Sequence, residues 1–182
     1  MRPGIFCLRG GYGTVRILDR LDLDRMRAAG LTQLYGSSDV TALHEWLRER
    51  LGVATWFTPM IGTLSLLDDE VALASLRAAT LEPVVGQRFC GGEGLVPGAA
   101  HGTLIGGNLS LLAMTLGARD RVVDNTDTIA LFEDVGEDTY RLDGYLHALL
   151  RSGWFGAGAR SVPLGVPATL VVEADEALLA VD

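Results

Sequence analysis

The sequence predicts an α/β fold in which parallel strands alternate with helices, followed by a smaller β-rich part. Short apolar runs alternate with helical patterns through the first half of the chain, as they do in successive βα units. A Gly- and Pro-rich passage over residues 91–107 then changes the composition, and the tail from residue 161 alternates like strand sequence. We therefore expect two domains, residues 1–90 and residues 91–182.

In the first domain, short apolar runs predict buried strands at residues 5–8, 34–35 and 54–57. Apolar residues at helical spacing predict helices over residues 15–21, 22–29, 40–51 and 64–81. Gly52 follows the third of these patterns directly and indicates where that helix ends.

In the second domain, the patterns predict a helix over residues 109–116, a strand over 128–135 and a helix over 140–152. The tail predicts two strands, residues 169–173 and 177–181, on either side of a turn at residues 174–176.

The composition indicates a globular protein and excludes several classes of function. Of the 182 residues, 48% are hydrophobic and 21% are charged, which excludes extensive disorder. The net charge of −8 disfavours a nucleic-acid partner, because phosphate backbones attract basic proteins. Cys7 and Cys90 are far apart and have no ligand-spaced partner, so we expect no disulfide framework, no metal and a reducing, cytoplasmic setting.

No segment has the length expected of a signal peptide or a membrane span. The apolar start is short, and the longest apolar region, residues 103–118, is interrupted by Gly106, Gly107 and Asn108. We expect no membrane partner.

The segment Gly36-Ser37-Ser38-Asp39 lies between a predicted strand and a predicted helix. That is the context of a nucleophile elbow, in which a sharp turn exposes a serine hydroxyl. The simpler interpretation is that Ser37, Ser38 or Asp39 caps the following helix, because Ser and Asp are preferred caps. The spacing alone favours the cap.

Two further features lie where sites form in α/β proteins. Gly10-Gly11-Tyr12-Gly13 follows a strand and could cradle a phosphate or supply oxyanion amides, but its spacing favours a tight structural turn. Glu133 ends the apolar strand and could orient a histidine, or simply be an exposed acid. The three histidines show no base or ligand spacing: His44 and His147 fall in helices, and His101 in a Gly-rich loop.

Taken together, ordered motifs over most of the chain resemble the LD-carboxypeptidase family of serine peptidases, which includes murein tetrapeptide carboxypeptidases and microcin C immunity proteins. The segments that carry this resemblance are Arg9–Gly13, Gly36–Leu43, Pro59–Met60, Gly102–Leu109, Leu131–Glu137, Tyr140–Asp143 and Val162–Leu170.

The resemblance implies a flavodoxin-like N-terminal domain, a smaller β-rich C-terminal domain and a site between them. It implies Ser38 as the nucleophile and Glu133 as the triad acid, with the amides of Asp39 and Gly11 as the oxyanion hole and no cofactor. The implied reaction removes the terminal D-residue from an LD-linked peptide, such as murein tetrapeptide, in the cytoplasm. A homodimer is also implied.

The chain departs from the family pattern in three ways. It begins almost at the Arg-Gly-Gly-Tyr-Gly strand, so we expect it to be shortened at its N terminus. If Phe155-Gly156 matches the family's Phe-Gly-His, then Ala157 stands where the catalytic histidine is expected. Thr58 replaces the usual glycine before Pro59-Met60. We therefore expect impaired hydrolysis, with His101 as the one histidine able to swing toward the site, or a peptide-binding protein without hydrolysis.

Overall fold

The computed structural model describes residues 4–30, 32–91, 95–118 and 125–155, and the backbone of residues 167–173 and 176–181. Within these ranges the strands form two sheets, one with three strands and one with five.

The first sheet is parallel, as the alternating apolar runs predict. It contains β1 (Gly4–Phe6), β2 (Gln33–Gly36) and β3 (Trp56–Phe57), in that spatial order. Its helical connections are a 3-10 helix (Thr14–Arg20), α1 (Leu23–Ala29), a short 3-10 helix (Ser38–Val40) and α2 (Thr41–Leu51).

Local signals explain where α1 and α2 begin and end. The Asp22 carboxylate accepts the Arg25 amide and caps α1. Gly52 ends α2 in the left-handed conformation at φ 62°, which glycine adopts without a Cβ clash.

The predicted helix over residues 64–81 is two helices. A 3-10 helix (Leu64–Asp68) is followed by α3 (Glu70–Leu81). The break has a clear cause: the Asp69 side chain accepts the Ala72 amide and therefore starts a new helix.

The second sheet is mixed, with the order β4-β8-β7-β5-β6. Its strands are β4 (Arg88–Cys90), β5 (Gly98–Asn108), β6 (Thr128–Glu133), β7 (Pro167–Glu173) and β8 (Glu176–Val181). β5 and β6 are parallel and are connected through α4 (Leu109–Met114), whereas the other pairs are antiparallel. α5 (Thr139–Arg151) follows β6.

The Gly-rich passage forms a strand in its second half. The prediction that His101 lies on a loop is therefore wrong: it lies within β5, opposite Thr169 of β7. Because β4 pairs with β8, residues 88–90 also belong to the second sheet. The division of the chain at residues 90 and 91 stays a prediction.

Each sheet has its own apolar core, and α2 connects the two. Leu34, Val40, Leu47 and Met60 form the buried cluster of the first sheet. Around the second sheet the buried cluster comprises Ile105, Leu109, Leu112, Ala130, Leu149 and Trp154. No helix in the described ranges is both long and apolar enough to span a membrane.

A buried polar network also joins α2 to the second sheet. The Arg48 guanidinium donates to both carboxylate oxygens of Glu45, at 3.2 and 3.0 Å, and to the Asn125 side-chain oxygen at 3.1 Å. The Asn125 amide nitrogen donates in turn to the Trp154 carbonyl at 2.6 Å. Because these groups are largely removed from water, their partners fix how α2 lies against the second sheet.

Candidate active site

Ser38 lies at a strained turn between β2 and α2. Its φ is +53°, and Asp127 is the one other non-glycine residue in the described ranges with a positive φ. The left-handed conformation costs a residue with a Cβ about 1–2 kcal/mol. Ser38 is exposed although both Asp39 and Val40 are buried. A strained, exposed serine between a strand and a helix is the geometry of a nucleophile elbow.

The cap interpretation of this segment is wrong. Ser37 precedes the 3-10 helix without a side-chain cap hydrogen bond, and the N terminus of α2 has none either. The Asp39 carboxylate accepts instead from Thr14, from the amide at 3.0 Å and from the hydroxyl at 2.6 Å. Asp39 thereby connects the elbow to the segment that follows Gly13.

Gly10 provides the close backbone approach to Ser38. A Cβ at residue 10 would lie 3.0 Å from the Ser38 Cβ and 3.1 Å from its Oγ, so glycine allows this backbone to reach the serine. Gly11 follows at φ 134°, a conformation that side chains disfavour. The predicted oxyanion donors, the Gly11 and Asp39 amides, thus belong to residues adjacent to Gly10 and Ser38. Their donation to an oxyanion stays a prediction.

Glu133 lies at the carboxyl end of β6, directly opposite Asn108 of β5. Asn108 donates from Nδ2 to Glu133 Oε2 at 3.3 Å. The Asn108 Oδ1 accepts from the Leu111 amide and so caps α4. The side chain of Asn108 is therefore held at both ends, and it gives the partly buried Glu133 a fixed neighbour.

Thr41 connects the elbow to these strand ends. It is fully buried, and its Oγ1 accepts the Asn108 amide at 3.0 Å. Gly107 lies against it with φ 128°, and a Cβ there would come within 2.7 Å of Thr41 Oγ1. Since Thr41 is three residues after Ser38, a continuous set of contacts leads from the serine through Thr41 and Asn108 to Glu133.

The family resemblance predicted Ser38, Asp39, Gly11 and Glu133 as site residues and gave no role to Thr41. Asn108, between a strand and a helix, carried a usable signal because asparagine is a preferred helix cap. The Thr41 contact depends on a residue 67 positions away, so no local pattern could reveal it.

None of the three histidines is placed as a base for Ser38. His44 is buried, with Nε2 3.0 Å from the Gly36 carbonyl oxygen and Nδ1 2.8 Å from Thr55 Oγ1. Because a carbonyl only accepts, we assign the proton to Nε2, and Nδ1 then accepts from the threonine. Burial lowers the pKa of His44 below its ordinary value, so the ring is neutral with both nitrogens engaged.

The other two histidines lie elsewhere. His101 precedes Gly107 by six residues along β5, which separates them by about 20 Å at the usual rise per residue. His147 is exposed on α5, where its Nε2 accepts from Arg151 at 3.0 Å. The predicted swing of His101 toward Ser38 is therefore wrong. Gly156 and Ala157, compared above with the family's histidine segment, lie outside the described residues, as do residues 162–166 of the last motif.

Across the described ranges, no group of three or more His, Cys, Asp and Glu side chains is arranged to hold a metal ion.

Two family models match this chain, one in its N-terminal half and the other in its C-terminal half. The LD-carboxypeptidase N-terminal domain matches residues 3–58, and the LD-carboxypeptidase C-terminal domain matches residues 101–170. The chain belongs to the LD-carboxypeptidase family. Both Ser38 and Glu133 fall within the matched segments.

Curated relatives carry carboxypeptidase names. A Streptomyces coelicolor protein with a provisional carboxypeptidase name is 44% identical over 162 residues, which are 88% of this chain and 52% of the relative. The murein tetrapeptide carboxypeptidase of Pseudomonas aeruginosa is 33% identical over 159 residues, 81% of this chain and 50% of that protein. The chain thus spans about half the length of the curated relatives it matches.

Solved structures of the family share the fold. The muramoyltetrapeptide carboxypeptidase of Oxalobacter formigenes superposes with a TM-score of 0.82 at 22% identity, over 100% of this chain and 79% of that one. The microcin C7 self-immunity protein superposes with a TM-score of 0.77 at 16% identity, over 98% of this chain and 76% of that one. The predicted fold class, α/β with a flavodoxin-like parallel sheet and a β-rich C-terminal part, is confirmed.

Proposed function

We propose that this LD-carboxypeptidase family chain carries the nucleophile and the acid of a serine-type carboxypeptidase that removes the terminal D-amino acid from murein tetrapeptide or a related LD-peptide. The observation that carries the proposal is the strained, exposed Ser38, placed against Gly10 and connected through Thr41 and Asn108 to Glu133.

The reaction is acyl transfer through serine. The Ser38 Oγ attacks the last peptide carbonyl while a base takes its proton, and the resulting oxyanion accepts hydrogen bonds from the Asp39 and Gly11 amides. The C–N bond then breaks, the proton goes to the leaving nitrogen and the D-amino acid departs. Water hydrolyses the acyl-serine ester in the second half and regenerates the hydroxyl.

Glu133 is the acid that orients the base in this scheme and stabilises its protonated form. The base itself is unidentified, because His44, His101 and His147 are all engaged or distant. A serine hydroxyl without its histidine is a weak nucleophile, and removing the triad base lowers turnover by about 10⁶-fold. We therefore propose impaired activity for the chain alone.

The test is D-alanine release from murein tetrapeptide by the wild type and by Ser38→Ala. Release by the wild type that Ser38→Ala abolishes supports the proposal, and equal rates reject Ser38 as the nucleophile. The matched control is Ser37→Ala, which removes the neighbouring hydroxyl and should leave the rate unchanged. Glu133→Gln keeps the size of the side chain, removes its charge and should lower the rate.

A second function, peptide binding without hydrolysis, is favoured by the placement of the histidines. Both ring nitrogens of His44 are hydrogen-bonded within the fold, and His101 and His147 lie away from Ser38. Calorimetric titration with the tetrapeptide separates the two functions. Micromolar binding without D-alanine release supports the binding protein, whereas rapid release rejects it.

The remaining parts of the proposal concern the setting of the protein. We propose that it acts in the cytoplasm without a cofactor and that it forms a homodimer. Sedimentation equilibrium of the purified chain tests the assembly, because a monomer of 19.4 kDa and its dimer differ twofold in mass.

A further inference from the structure

We infer that the guanidinium of Arg9 binds the C-terminal carboxylate of the peptide and thereby selects substrates cleaved at their last bond. The inference rests on the proposed function, because it requires that a peptide be presented to Ser38.

Arg9 is adjacent to the backbone that approaches the nucleophile. It directly precedes Gly10, where a Cβ would lie 3.1 Å from Ser38 Oγ. The Arg9 Nε donates to the Gly10 carbonyl at 3.4 Å, and its Nη2 lies 3.8 Å from the position that a Cβ would take on Gly11. The guanidinium thus lies along the two glycines next to Ser38.

The Arg9 head group is also available for an anion. The residue is exposed and makes no ion pair within the described part of the chain. Its one hydrogen bond there is the long contact to Gly10, so most of its N–H donors have no partner among the described residues. Arg48, by contrast, is engaged by Glu45, and Arg141 pairs with Glu137.

Arg16 is the next cation along the chain after Arg9. Its guanidinium lies 4.9 Å from the centre of the Tyr12 ring and donates to the Tyr12 hydroxyl at 3.3 Å. Binding a carboxylate there would compete with an existing contact, which favours Arg9.

A terminal cleavage places the carboxylate of the peptide close to the nucleophile. In the last residue of a peptide, only three bonds separate the scissile carbonyl carbon from the carboxylate carbon, a distance of about 3–4 Å at standard bond lengths. When Ser38 attacks that carbonyl, the carboxylate therefore lies within a few ångströms of the serine. A guanidinium binds a carboxylate through two parallel hydrogen bonds, and the next residue of a longer peptide cannot supply that group. In a chain with a net charge of −8, a local cation also offsets the repulsion of an anionic peptide.

The experiment measures binding in a Ser38→Ala background, where no turnover interferes. Two probes are titrated: murein tetrapeptide with its free carboxylate and the same peptide with a C-terminal amide. We expect the background protein to bind the acid at least 10-fold more tightly than the amide. Adding Arg9→Gln should weaken the affinity for the acid peptide by about 10- to 100-fold and leave the affinity for the amide peptide unchanged. Only the acid peptide makes the charge-assisted hydrogen bonds.

Arg20→Gln is the matched control, because it removes another exposed arginine from the same N-terminal segment and should leave both affinities unchanged. If Arg9→Gln still binds the acid more tightly than the amide, the inference is overturned. It is also overturned if Arg16→Gln, and not Arg9→Gln, removes that difference in affinity. An equal loss for both peptides in Arg9→Gln also overturns it, since the residue would then act on the fold. If the background protein binds neither peptide, the proposed function fails together with the inference.

Discussion

Replacing Gly107 with alanine should destabilise the protein through one defined contact. The new Cβ would lie 2.7 Å from Thr41 Oγ1 and 2.9 Å from its Cγ2, and Thr41 is fully buried. Displacing Thr41 would also weaken its hydrogen bond to the Asn108 amide. Backbone strain at φ 128° adds about 1–3 kcal/mol and overpacking about 1–3 kcal/mol. We expect Gly107→Ala to lower the free energy of unfolding by about 2–6 kcal/mol.

The chain offers a closely matched control in Gly13. Its φ is also 128°, but no atom of the described residues lies within 4 Å of the position that a Cβ would take. Gly13→Ala therefore carries the same kind of backbone strain and the same change in unfolded-state entropy without the contact. Urea denaturation of the two variants should differ by about 1–3 kcal/mol, the overpacking contribution alone.

A double variant tests whether Thr41 is the residue responsible. Thr41→Ala removes the two atoms nearest to the new Cβ and leaves only the Thr41 Cβ, at 3.3 Å, so Gly107→Ala should be less destabilising in that background. A coupling free energy of about 0.5–3 kcal/mol is expected for residues in contact. If Gly107→Ala is no worse than Gly13→Ala, or if its effect is the same in both Thr41 backgrounds, the reasoning about this contact is wrong.

Three further predictions concern stability. Burial lowers the pKa of His44 in the folded protein, so the unfolded chain binds a proton at this residue more readily than the folded chain does. The free energy of unfolding should therefore fall as the pH decreases below about 6.5. Urea denaturation from pH 8 to pH 5 measures this fall. His44→Gln should flatten that slope, whereas His147→Gln, on an exposed ring, should not. Asn125→Ala leaves the buried Trp154 carbonyl without its donor and removes one of the acceptors of Arg48, so it should lower the free energy of unfolding by about 1–3 kcal/mol. A change below about 0.5 kcal/mol would contradict the network. Ser38→Gly should be more stable than Ser38→Ala by about 0.5–1 kcal/mol, because glycine relieves the left-handed strain. If Ser38→Gly unfolds at the same temperature as Ser38→Ala or at a lower one, the elbow is not strained.

The Thr41 contact also explains why a residue outside the reacting groups belongs to the site. It places the N terminus of α2 against the end of β5, and Asn108 continues the connection to Glu133. Small shifts of α2 would therefore move Ser38 relative to Glu133, the proposed triad acid, and positioning errors of about 1 Å can lower rates by about 100-fold.

The sequence alone determined the elements whose signals are local. The apolar stripe that ends at Gly52 predicted α2, because glycine adopts the left-handed conformation at a helix end. The apolar run before Glu133 placed that carboxylate at a strand end. Both follow from neighbours within a few residues, through hydrophobic periodicity and backbone conformation. At Ser38, by contrast, the strand-to-helix context favoured a helix cap, and the elbow was expected from the family resemblance alone.

The tertiary structure decided everything that depends on distant partners. His101 lies in a Gly-rich sequence, yet it belongs to a strand because β7, 68 positions away along the chain, supplies its backbone partner at Thr169. The two glycine approaches, Gly10 to Ser38 and Gly107 to Thr41, depend on the packing of separate elements. The protonation and hydrogen bonding of His44 depend on its burial, on the Gly36 carbonyl of β2 and on the Thr55 hydroxyl just before β3. Local patterns cannot encode such contacts, because hydrogen bonding and close packing select partners by position in space and not by distance along the chain.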